Sequence, residues 1–134
     1  VAIIAILAAI AIPAYNGYIE ESRMAKVTEH YDSAIRIIRN HAAKVAAMQS
    51  RGCDPAVDTR CALPANAAAW ITEVIDPDGK AIAPKGGGSG YAATYSDANG
   101  VVEISDSGAA IEVVRPNYGA LGGVVSTTID PSSI

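Results

Sequence analysis

Twelve uncharged apolar residues closed by a proline, VAIIAILAAIAIP from Val1 to Pro13, set the strongest constraint on how this chain folds. As a helix the run spans roughly 18 Å at 1.5 Å per residue, against roughly 30 Å of bilayer hydrocarbon. It is too short to cross a membrane by itself and, at the end of a chain, too exposed to be a core helix. Lipid, a neighbouring subunit or residues ahead of it must bury it. With no basic flank or processing site, and running straight into a helical pattern, it does not read as a signal peptide.

From Ala14 to Met48 the pattern turns amphipathic without a break. Met24, Val27, Tyr31, Ala34, Ile38, Ala42, Val45 and Met48 recur at spacings of three and four, one stripe of a helix. Charged residues fill the other faces, acids early and bases late, in the sense that suits the helix dipole. Gly52 then stops the helix. Pro13 deletes one hydrogen bond and crowds the preceding turn, so a kink or local unwinding is expected near Ala9 to Pro13, with Gly17 as a second soft point. The spacing thus predicts one helix roughly 70 Å long, apolar on every face in its first quarter and on one face thereafter.

Beyond the apolar run, the chain suffices for one compact domain. Acidic residues outnumber basic ones 14 to 10, for a formal charge of −4, which argues against nucleic acid or anionic lipid as the main partner. Cys53 and Cys61 flank seven residues that include Pro55, so a disulfide closing a small surface loop is sterically easy, the alternative being two independent thiols. A bridge would imply an exported domain. Asn66 is placed to cap a short helix through Trp70 and Ile75, and Asp76-Pro77-Asp78-Gly79 turns the chain. Lys85 to Gly90 (KGGGSG) reads as a flexible connector, since its Lys precedes the glycines and the order does not match a phosphate loop. Strands are expected at Tyr91–Tyr95, Val101–Ile104, Ala110–Val114 and Val124–Ile129, the first two joined by an Asn99-Gly100 hairpin. These make a four-stranded antiparallel meander that the long helix must cover, an α+β architecture.

Catalytic candidates are thin. His30 and His41 lie about three turns apart on the long helix, too far to share a metal. No serine sits in a nucleophile elbow. Asp76 and Asp78 suit a turn better than a calcium loop, which would need a following glutamate. No enzyme activity, cofactor or metal is expected. Assembly remains: alanines interspersed with Ile3, Ile4, Ile6, Leu7, Ile10 and Ile12 allow close helix-to-helix approach, and a polymer of many copies would bury every face through heterologous, non-closing contacts.

The segment VAIIAILAAIAIPAYNGY strongly resembles the N-terminal helix of type IV pilins and of the related pseudopilins of type II secretion systems. The resemblance implies the type IV pilin fold: a protruding half-helix over 1–24 and a globular domain over 25–134, divided into an amphipathic half-helix 25–51, a connecting loop 52–90, and a sheet with C-terminal loop 91–134. It implies that Val1, Ile3, Ile4, Ile6, Leu7, Ile10 and Ile12 pack in a filament core. Ala5, where many relatives carry glycine, Pro13 and Gly17 would mark the kink or unwinding. It further implies leading residues ahead of Val1, among them an N-methylated residue, usually Phe, and a glutamate.

Both cysteines precede the sheet, unlike the bridge of many pilins. Ser132 to Ile134 is therefore expected to be held by packing alone, and, with no counterpart to the calcium-binding C-terminal loop of the major pseudopilins, Tyr118–Val125 is expected as a flexible turn. The function implied is a structural subunit of an extracellular filament serving adhesion, twitching motility or DNA uptake, the last unsupported by charge. Its partners would be other copies of itself, the pilus assembly machinery, the inner membrane before assembly and a host or surface ligand. The alternatives are a major pseudopilin, though no calcium loop is evident, and a monomeric membrane-anchored binding module.

Overall fold

The computed structural model describes Val1 to Ser133; Ile134 lies outside the described residues. A single helix, α1 (Ala2–Ser50), runs 49 residues, about 73 Å at the α-helical rise. Its buried residues are Val27, Tyr31, Ala34, Ile38, Ala42 and Val45, the expected stripe, while Met24 and Met48 at its ends are half-buried. Past Ser50 the chain reverses through Gly52 at φ +96°, and the Cys53 N–H donates to the Met48 carbonyl at 3.1 Å. The dipole argument fails here. Neither the first nor the last turn of α1 holds a complementary charge, because the acids and bases all lie further inside, where the dipole has little effect.

A short second helix, α2 (Ala67–Trp70), starts as expected at Asn66, whose side-chain oxygen accepts from the Ala69 N–H at 2.9 Å. It continues as a wider π-type turn over Ile71–Ile75. The chain then turns at Asp76, whose carboxylate accepts from the backbone N–H groups of Lys80 (3.0 Å) and Ala81 (3.2 Å). The KGGGSG segment is not a free connector. It is the tip and returning arm of a small hairpin, with Ile82 bridged to Ser89 and the Gly90 N–H donating to the Ala81 carbonyl at 2.8 Å.

Four strands follow: β1 (Tyr91–Ala92), β2 (Val102–Ser107), β3 (Ala110–Arg115) and β4 (Val125–Ile129), in the order β1-β2-β3-β4. The β2–β3 and β3–β4 pairs are antiparallel, with Ser107 opposite Ala110 and Arg115 opposite Val125. The expected all-antiparallel meander is corrected at its first strand. Tyr91 pairs with Val102 in parallel, so the sheet is mixed. Asn99-Gly100 still turns the chain, but within a tight loop closed by the Ser96–Val101 bridge rather than between paired strands. Tyr91 anchors this strand: its ring is buried and its hydroxyl donates to the His30 carbonyl of α1 at 2.9 Å. With only two residue pairs to align, β1 needs no long crossover.

Val102 and Ile104 from β2, Ile111 and Val113 from β3 and Ile129 from β4 form one core with the α1 stripe and Trp70. This is an α+β fold in which the long helix contacts the sheet along its C-terminal half. Gly100 shows how tight the seam is. A Cβ there would lie 2.7 Å from Val27 Cγ2 and from Pro84 Cγ, on a backbone at φ +75°. Gly100→Ala is expected to cost about 1–3 kcal/mol through overpacking alone, measured as a shifted midpoint in urea unfolding.

Candidate assembly surface

Among the described residues the apolar end of α1 has no partner. Val1, Ile3, Ile4, Ile6, Leu7, Ile10 and Ile12 are each at least 59% exposed. Every residue from Val1 to Tyr18 is exposed, Tyr15 and Tyr18 included. The chain remains helical through Ala5, Pro13 and Gly17. Seven large apolar side chains in water represent about 10–20 kcal/mol of unrealised transfer free energy, at 1.5–3 kcal/mol each. Continued past Pro13 through the exposed residues to Tyr18, α1 is by length and composition long and apolar enough to cross a membrane, and a long apolar N-terminal helix suits membrane association.

The domain meets α1 first at Glu20 and Met24, where the loop after β3 docks. The Ala120 N–H points at Met24 Sδ, 3.1 Å away, and a Cβ on Gly119 would meet Glu20 Oε1 and Met24 Sδ at 3.0 Å. This loop was expected to be a flexible turn, and the hydrogen bonds correct that. Arg115 donates to the carbonyls of Leu121 (3.3 Å) and Gly123 (3.4 Å). Asn117 Oδ1 accepts from the Gly123 N–H at 3.0 Å, and Asp97 Oδ1 from the Asn117 N–H at 2.8 Å. Tyr118 is buried between them. Arginine and asparagine flanking glycines carried the signal, but their partners are carbonyls and a distant aspartate that spacing does not reveal.

At the other end, Cys53 and Cys61 form a disulfide with Cα atoms 6.3 Å apart. Gln49 Nε2 donates to the Cys61 carbonyl at 2.8 Å, so the bridged loop is pinned back onto the last turn of α1. Asp58 caps the 3-10 turn Thr59–Cys61, and hydrogen bonds from Arg60 hold its carboxyl down to about 2. That pair is exposed and adds little stability. Replacing both cysteines with serine is expected to destabilise the domain by about 2–3 kcal/mol for a loop this short, read from denaturant melts with and without reductant. The C-terminus closes in a 3-10 turn, Pro131–Ser133, whose side-chain hydrogen bonds are local to the turn. Pro131 is buried and Asp130 Oδ1 accepts from the Ser132 N–H at 3.0 Å; the expectation for Ile134 lies outside the described residues.

The histidines serve packing. His30 rests against Tyr91, ring centroids 5.3 Å apart, and His41 meets Trp70 edge-on at 5.5 Å. Burial, reinforced by Lys26, pushes His30 below its usual 6.5, and burial with Lys44 does the same to His41, against weaker opposing pulls from nearby acids. Both shifts have the same consequence. As pH falls through about 6.5 the unfolded chain takes up protons that the folded chain refuses, so stability declines below that pH. Urea midpoints measured from pH 7.5 to 5 should fall, and His30→Gln should flatten the decline.

The arrangement defines an α+β domain whose one long helix carries an exposed apolar N-terminal stretch. No protein-family model, curated protein or solved structure matches the chain. Among the described residues no group of three or more His, Cys, Asp or Glu side chains is placed to hold a metal, and Asp76 spends its carboxylate on its own turn.

Proposed function

We propose that this chain is a structural subunit that polymerises into an extracellular filament of the type IV pilus kind, held in the inner membrane by its apolar half-helix before assembly. One observation carries the reading: Val1 to Tyr18 is exposed on every face, yet belongs to the same continuous helix that buries one stripe, from Val27 to Val45, against the domain. Lipid could cover such a segment in a single copy. A bundle of copies covers it equally well, because alanines at Ala2, Ala5, Ala8, Ala9 and Ala11 let backbones approach closely while the isoleucines fill the space between. The docked loops and the disulfide at the far end of the helix suit a domain that faces solvent outside the cell. In this reading the chain is not an enzyme and acts through its surface.

The experiment is direct. Cells expressing the full-length chain are sheared and the released material is imaged by negative stain with an antibody to the domain. Long labelled filaments support the reading. Labelled material confined to short periplasmic fibres would indicate a secretion pseudopilin instead, and chain found only as monomer in membranes would refute polymerisation.

A further inference from the structure

The outward face of α1 carries charges that the fold does not use. Glu29, Asp32, Arg36 and Arg39 lie on the side of the helix opposite the buried stripe, and all four are exposed. The ion pairs among the described residues are Arg23–Glu20 and Arg60–Asp58, so none of the four is engaged in one. Among the described residues Arg36 donates to the Ser33 hydroxyl alone, at 3.3 Å. After Asp32 the helix contains bases and no acid. An open groove of about 620 Å³ runs along the same face, with Met24 and Ala25 on its floor and Leu121 on one wall.

The spacing of these charges is specific. Arg36 follows Glu29 by seven residues, and Arg39 follows Asp32 by seven. Seven residues are close to two turns, about 10.5 Å of rise, and return to the same side of the helix. Two parallel helices with no offset would set acid against acid and base against base. Shifted by seven residues, they set Arg36 of one copy beside Glu29 of the next, and Arg39 beside Asp32. The same shift places Leu7 opposite Ala14 and Ala11 opposite Tyr18, a large side chain against a small one each time. An antiparallel pair would also match charges, but it would point the two apolar halves away from each other and leave both uncovered.

We propose that this face of α1 docks the α1 face of a second copy of the chain, parallel and offset by seven residues. The inference rests on the reading of the chain as a polymerising subunit. Exposed ion pairs add little affinity, and their role here is to select the register and reject others. Each copy offers its basic turn to one neighbour and its acidic turn to another, so the contact repeats without closing.

The test is a charge exchange in the full-length chain. The double substitutions E29R/D32R and R36E/R39E should each reduce filament yield at least tenfold while leaving the domain's melting temperature in place. The fourfold exchange carrying all of them should return the yield to within about twofold of wild type. Filaments bearing Asn40→Cys with Ala47→Cys, an exposed uncharged pair with the same spacing of seven, should form an intermolecular disulfide ladder, which the antiparallel pair would not. Wild-type yield in both double variants, or no recovery in a folded fourfold variant, overturns the register while filaments of the wild-type chain keep the polymer reading intact. No filament from the wild-type chain itself overturns both.

Discussion

Ile6→Asp is expected to abolish filament formation, with labelled fibres falling below detection, while the domain unfolds at its wild-type temperature. Ile6 is 61% exposed in the single chain, so the substitution removes no internal contact and leaves no cavity. In a bundle the same position is enclosed by neighbouring apolar helices, where an unpaired carboxylate costs several kcal/mol. Every subunit carries the defect, so the penalty repeats at each added copy. Insertion into the membrane suffers less, since one Asp near the middle of an apolar helix costs about 2.5–3.5 kcal/mol on insertion scales. Cell fractionation therefore belongs beside the imaging. Chain in the membrane with no fibres is the expected pair of results; fibres at normal yield would mean that Ile6 is not enclosed.

Trp70→Ala is expected to have the largest effect on the domain, about 3–5 kcal/mol. Trp70 is 1% exposed and belongs to the core that joins the α1 stripe to β2 and β3. It also supports the ring of His41 from the side. The loss is a large share of the 5–15 kcal/mol typical of a whole domain, and the melting temperature should drop by more than about 10 °C. Truncation leaves a void that α2 can collapse into only partly, since Asn66 and the Asp106 carboxylate, which accepts from the Ala67 N–H at 2.9 Å, hold its start in place. Circular dichroism melts check the value. A shift of only a degree or two would show that α2 is peripheral to the core.

Elements governed by local rules were legible in the sequence. The periodicity of Val27, Tyr31, Ala34 and Ile38 names the buried face of α1, Asn66 names the start of α2, and Gly52 the end of the long helix. The cysteine spacing anticipates the disulfide. What escaped depends on contacts between distant residues. The short β1, paired in parallel with β2, is anchored by Tyr91 reaching the His30 carbonyl 61 positions away. The order of the loop after β3 follows from Arg115, Asn117 and Asp97 satisfying backbone groups, which no period encodes. The hairpin at KGGGSG forms because its glycines supply a turn for Ile82 and Ser89 to bridge across, although the same composition elsewhere makes a loose linker. For the assembly surface, the sequence marks which residues are apolar, and the fold adds that nothing among the described residues covers them.

Electron cryomicroscopy of filaments sheared from cells examines the assembly surface itself. The expected density shows Val1 to Ile12 inside the fibre, enclosed by the same segment of neighbouring copies, with the sheet and the Cys53–Cys61 loop outside. Filaments whose interior is built from another part of the chain, with Ile3, Ile6 and Ile10 facing solvent, would contradict the proposal.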